Sequence, residues 1–447
     1  MATDLSRFIA AAAIHDTHEH MMKEKDWLDD KPDILCELFT HYAQADLAVA
    51  GASDAALKRL VDSRDAEIVE RFEGVKEAWE AIQFTGYGEA VRVTARRFFG
   101  LETLDGKVLA AAQERLPAKW PGGERLRILK EDGGLDHIQV DDACWSCLPD
   151  RSGPDFFFYD LNWGNFCKGD LRAAKDGSDR PCELLFKETG VEVKDLETLR
   201  AAMARLFEKF GPYAIAVKAG HAYQRTLIWR ERADAEAAAA LQEVLCDPKG
   251  AGVEARHCLG DWCWARGVEH SIQHNLPFKI HTGYCTRHGF MRVDHIKPGN
   301  LCALLAKHRQ ARFVLMHIGY PYDDEIVALA KHYPNVWVDL CWAWSIDPHS
   351  SAKFVRRFIH AAPVNKLFGY GGDAIRPRSS VAYALQCRKW LTRALQGEVD
   401  DGELTEAQAI GVARRLLQEN QGACFDLEGV RRRIREKMAR EIYSVRG

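Results

Sequence analysis

IHDTHEH, residues 14–20, sets a short apolar start against two histidines spaced i, i+2. On an extended chain such residues point the same way, so His18 and His20 can offer two imidazoles to one ion. Outward from this stretch the arrangement recurs, with short apolar runs ending on a residue able to hold a metal or a proton. AIAVKAGHAY (214–223) ends on Lys218, LPFKIHTGY (276–284) on His281, FVLMHIGYPY (313–322) on His317 and KLFGYGGDAIRP (366–377) on Asp373. Eight strands are predicted: Ala13–Asp16, Ile138–Val140, Phe156–Tyr159, Ala214–Val217, Phe278–Ile280, Phe313–Met316, Val336–Leu340 and Leu367–Tyr370. Helical patterns separate them, the alternation that a parallel sheet covered by helices requires. The fold expected is a (β/α)8 TIM barrel, in which the C-terminal strand ends converge on one mouth. His18, His20, His281 and Asp373 would meet there around a catalytic divalent ion, because imidazole nitrogen and carboxylate oxygen suit zinc.

The barrel is expected over 1–25 and 136–425. Residues 26–135, with helical spacing in DAEIVERFEGVKEAWEAI (65–82), read as a helical insertion near the mouth, and residues 426–447 as a C-terminal helix. The basic run GVRRRIREKMARE (429–441) reads as a solvated helix face or a subunit contact, so a homo-oligomer stays open. A formal net charge of -4 argues against a nucleic-acid surface. No run of about 18 apolar residues is present, so no membrane partner is expected. Thirteen scattered cysteines fit reduced thiols in a cytoplasmic protein better than a disulfide framework. The pair Cys144 and Cys147 in CWSC lacks a second pair for a structural zinc site.

The order H-x-H first, Lys fourth, His fifth, His sixth and Asp eighth resembles the amidohydrolase superfamily. Within it the chain is similar to the amidohydrolase domain fused to glutamine-synthetase-like proteins. LPFKIHTGY, LMHIGYPY, YPNVWVDL, LFGYGGD, QENQGACFDL and the Lys218, Tyr223, Arg225 pattern carry the likeness. TARRFFGLE (94–102) also resembles a helical segment shared with uronate isomerases. The resemblance implies metal ligation by His18, His20, His281 and Asp373, with His317 binding or protonating near the ion. One divalent metal is expected, Zn2+ before Mn2+, because Lys218 beside Arg225 reads as a free ammonium paired with a substrate carboxylate. Two ions, bridged by a carboxylated Lys218 and joined by His317, stay open.

The activity expected is hydrolysis of an amide, lactone or related bond of a small, carboxylate-bearing substrate, with Asp373 and His317 as catalytic groups. Lys218, Tyr223, Arg225, Arg376 and Trp342 are the candidate substrate contacts, Arg225 because a planar guanidinium suits a carboxylate. His221, Arg287 and Trp344 are weaker candidates, and Asp16 is expected to orient a neighbouring ligand. The alternatives are uronate isomerase-like or decarboxylase chemistry on the same barrel, since the fold does not choose the reaction, and a non-catalytic scaffold.

Overall fold

A computed structural model of the chain describes residues 3–117, 119–172, 182–284 and 291–444. Eight parallel strands run in chain order around one sheet. They are β1 (Ile14–Glu19), β2 (Leu135–Val140), β3 (Phe157–Asn162), β4 (Ala214–Ala219), β5 (Phe278–His281), β6 (Phe313–Met316), β7 (Val336–Asp339) and β8 (Leu367–Phe368). Each strand pairs with the next, and the chain just beyond β8 returns to β1. Thr17 donates its amide to Tyr370 O at 3.2 Å, and Asp373 donates its amide to His18 O at 2.8 Å. The expected (β/α)8 barrel is therefore the fold.

All eight predicted strands are present, with shifted ends. β1 continues to Glu19 because its pairing with β2 extends to Glu19 opposite Val140, across a register shift after Asp16. His18 consequently lies inside the strand, and only His20 follows it. β8 is shorter than predicted, since Gly369 turns away to donate its amide to Leu416 O at 2.7 Å.

The segment between β1 and β2 is helical from Glu24 to Asp132 and builds an apolar cluster of its own from Ile34, Leu38, Phe39, Phe72, Trp79 and Leu109, among others. It is tied to the barrel by ions as well as packing: Arg378 Nη1 lies 3.0 Å from Glu37 Oε2, and Arg376 Nη1 2.9 Å from Asp30 Oδ2. At the opposite end, the helix Leu427–Ser444 presents Leu427, Val430 and Ile434 to Phe158, Ala216, Val314 and Phe368 and seals the barrel's N-terminal face. Above that apolar plug lies a buried ion pair. Lys279 Nζ sits 2.9 Å from both oxygens of Asp160 and donates to Thr17 O at 2.7 Å, and both side chains are fully buried. The chemistry-bearing residues occupy the layer above it. No helix of the described residues is long and apolar enough to cross a membrane.

Candidate metal centre at the barrel mouth

β1 and the turn after β8 bring three of the four proposed ligands together. Asp373 Oδ1 lies 3.4 Å from His18 Nε2 and 3.2 Å from His20 Nε2. Two ligand atoms bound at about 2.1 Å to one tetrahedral ion stand about 3.4 Å apart, so these separations match the edges of such a site. Asp373 Oδ1 is buried and has no hydrogen-bond partner among the described residues, an exceptional state for a carboxylate oxygen. The other oxygen, Oδ2, accepts the Tyr42 hydroxyl at 2.6 Å.

The backbone carbonyls around the rings assign the protons, because a carbonyl only accepts. His20 Nδ1 faces Asp141 O at 2.6 Å and must carry its hydrogen there, which leaves the Nε2 lone pair turned to Asp373 Oδ1. His281 Nε2 faces Gly283 O, and His317 Nδ1 faces Cys341 O at 3.1 Å. The inner atoms, His281 Nδ1 and His317 Nε2, then meet lone pair to lone pair at 2.8 Å. In a neutral, ion-free chain both meetings are repulsive, and a cation placed against them removes the conflict. The donor set thus fits a divalent metal. The outer carbonyls fix each tautomer, as partners of metal-bound histidines do.

The charge states of His18, His281 and His317 agree. Burial, reinforced by Lys218, lowers His18. Burial also lowers His281 well below the ordinary value and His317 to about 3, so these rings are neutral and hold free lone pairs at pH 7. His20 differs: burial works against its proton, but Asp373 pulls it up. Burial alone would raise Asp373, and the His18 and His20 contacts outweigh it and hold the carboxyl well below the usual range.

Of the expected ligands, His281 stands apart from the three that meet at Asp373 Oδ1 and is turned to His317 and to the Tyr223 hydroxyl, 3.1 Å away. The groups that could hold a metal among the described residues include His18, His20 and Asp373, and also His317, Cys341 and Asp373. Lys218 Nζ lies 3.4 Å from both His18 Nε2 and Asp141 Oδ2. Asp16 Oδ1 accepts the His18 amide at 3.0 Å. Gly283 has to be glycine, since a Cβ there would stand 2.5 Å from His317 Cβ.

Two expected substrate contacts are placed differently. Arg225 donates to Cys167 O and Ile228 O and pairs with Asp261 Oδ1 at 2.6 Å, so its fork pins the loop after β4 to the helix Val253–Gln273 and does not face the mouth. Arg376 is held between Asp30 and Glu37 of the insertion, with its Nε unpartnered among the described residues. Trp344 donates to Gly369 O at 2.8 Å and His221 packs on Trp264, so both are interior. Arg287 lies outside the described residues.

The structure adds residues that sequence reasoning missed. Asp141 follows β2 and Asn162 ends β3, and Asn162 Nδ2 donates to Asp141 at 2.8 Å. Burial would raise Asp141, but Lys218, His20 and His18 hold it below its ordinary range. The strand-end rule used for β4, β5, β6 and β8 would have found both. Tyr42, 331 residues from Asp373, carried no such signal. Replacing Tyr42 with Phe removes a hydrogen bond to a charged group, and turnover is expected to fall tenfold or more on the order of such bonds, with metal content unchanged. Equal turnover in Y42F would remove the hydroxyl from the machinery.

His20 is the exposed edge of the centre: its side chain is 31% accessible, against 1% for His18 and 3% for Asp373. Beside it opens a cavity of about 450 Å³ lined by Met22, Lys23, Asp26, Asp141, Asp142 and Cys144, among others. A slightly larger groove, about 540 Å³, lies at the other end of the barrel by Asp136 and Arg431 and does not touch the centre. The backbone is strained at the mouth. His41, His317, Ile318, Trp342 and Asp373 have positive φ, five of the nine such non-glycine residues among those described.

Residues 214–405 match the family model described as Amidohydrolase, a span that holds Lys218, His281, His317 and Asp373. Protein fluG of Emericella nidulans is 28% identical over 158 residues, which make up 35% of this chain and 18% of that protein. The chain thus spans under a fifth of that relative. Among solved structures, a uronate isomerase from Thermotoga maritima aligns with a TM-score of 0.77 at 15% identity, over 95% of this chain and 97% of that one. A protein assigned as a metal-dependent hydrolase from Lactobacillus casei aligns with a TM-score of 0.64 at 14% identity, over 96% and 99%. At such identities the likeness is one of fold. The match over residues 214–405, less than half of the chain, and the likeness to fluG support kinship with the amidohydrolase superfamily.

Proposed function

We propose that the chain is a metal-dependent hydrolase that opens an amide, lactone or related bond of a small, carboxylate-bearing substrate. The observation that carries this reading is the bare Asp373 Oδ1 between two imidazole nitrogens, with Oδ2 secured by Tyr42. His18 Nε2, His20 Nε2 and Asp373 Oδ1 would hold one divalent ion, Zn2+ before Mn2+. When bound, that ion supplies Lewis acidity and lowers the pKa of water from about 15.7 toward about 7. Asp373 takes the proton of the attacking water and returns it to the leaving group, with Tyr42 fixing the carboxylate plane. Lys218, opposite Asp141 and 3.4 Å from His18 Nε2, orients a substrate carboxylate. Substrate enters on the His20 side, where the centre is accessible.

The lone pairs of His281 and His317 supply the remaining ligand, or the pocket of a second ion. Dialysis against a chelator is expected to abolish activity, and Zn2+ or Mn2+ to restore it. Metal analysis of the reloaded chain counts the ions. Full activity after exhaustive chelation would overturn the reading.

A second reading is aldose–ketose isomerisation of a uronate. It is favoured by the Tyr42–Asp373 pair, a donor beside an acceptor suited to shuttling a proton within one substrate. Ketose formation from D-glucuronate, with no hydrolysis across a panel of N-acyl amino acids and lactones, would select the isomerase.

A further inference from the structure

Trp342 follows β7 with φ of 63°, a left-handed conformation that costs an L-residue energy unless its surroundings impose it. Its indole N–H is buried and has no partner among the described residues. Burying such a donor without an acceptor is unfavourable, and Trp N–H groups in protein interiors normally find one. The rings around Trp342 belong to the mouth: His317 at 5.5 Å, Tyr42 at 6.0 Å, Tyr284 at 5.9 Å and Tyr320 at 6.3 Å between centroids. Tyr42 is hydrogen-bonded to Asp373, and His317 Nε2 lies 2.8 Å from His281 Nδ1. The backbone fixes the ring from below, since Trp342 donates its amide to Gly371 O at 2.8 Å, two residues before Asp373. A strained residue, a packed aromatic collar and an unspent donor therefore coincide beside the centre.

We propose that the Trp342 indole N–H is a substrate-binding donor, aimed at an oxygen that the substrate carries next to its reacting carbon, a carboxylate or carbonyl oxygen. The aromatic collar holds the indole rigid, so the donor is placed before substrate arrives. The left-handed backbone is what turns the ring toward His317 and away from the helix layer, where Trp344 already occupies Gly369 O. This inference rests on the metal-centre reading.

The test uses the full zinc-loaded chain with 15N-labelled indoles and acetohydroxamate, a chelating probe that brings acceptor oxygens to a metal ion. The Trp342 resonance is assigned by its loss in Trp342→Phe, and independently by broadening when Mn2+ replaces zinc. The expected result is a downfield shift of the Trp342 indole proton on saturation, together with about tenfold weaker probe binding in W342F by calorimetry, the worth of one hydrogen bond to a charged group. Probe binding with the Trp342 resonance unmoved overturns the inference alone. A Trp342 proton already shifted downfield in the free chain and unaffected by the probe shows a buried water on the donor, and also overturns it. No probe binding by the zinc-loaded chain overturns the metal-centre reading and the inference with it.

Discussion

Asp373→Asn is expected to lower turnover by about 10³-fold or more, the scale of a lost general base at a metal centre, while metal content is retained or reduced. The amide keeps the shape and can still offer one oxygen, but it cannot take a proton. Its NH2 would also bring hydrogens where His18 and His20 present lone pairs, so the two rings lose the anion that binds the third corner of the site. Turnover and metal analysis measured side by side separate these effects. Full activity in D373N would sink the proposed role. Loss of metal with turnover restored by excess Zn2+ would leave Asp373 a ligand only.

The second large effect is on stability. Lys279→Met strands Asp160, a fully buried carboxylate, without its ammonium partner. Breaking a buried pair by removing one member costs about 3–5 kcal/mol, because the charge left behind has lost both water and its counter-ion. The remedy is to remove both: Lys279→Met with Asp160→Leu is expected to recover most of the loss, since apolar groups of similar volume replace a buried pair at little cost. Urea unfolding of the metal-free chain measures both, and the absence of metal prevents ligand binding from masking the difference. A K279M chain destabilised by less than about 1 kcal/mol, well under that range, would mean that solvent reaches Asp160.

The barrel was legible because its strands are marked twice, by a short apolar run and by a reactive residue at its end. That double mark located β4 to β6 and β8 almost to the residue, and the Lys218, His281, His317 and Asp373 positions with them. Asp141 follows β2 and Asn162 ends β3, and both were passed over because a carboxylate or amide at a strand end reads as an ordinary turn residue. Arg225 misled for a different reason. Its partner Asp261 lies 36 residues on, in a helix, and no local pattern reveals that a guanidinium is already engaged. His281 ends its strand as expected, but the side it presents is set by the carbonyl of Gly283 and the ring of His317, which sequence spacing does not encode. Tyr42 was invisible, because an insertion with its own apolar cluster gives no periodic signal about a side chain it lowers into the mouth.

The junction of the barrel wall has one more implication. The amide of Asp373 is bonded to the carbonyl of His18 across the line where the last strand rejoins the first. The residues proposed to grip the cation therefore come from the earliest and latest parts of the wall, and no shorter product of synthesis possesses the grip. A nascent chain halted before residue 373 carries imidazoles but lacks the carboxylate that closes the proposed site, so tight retention of the ion is expected only once the end of the wall has met its beginning.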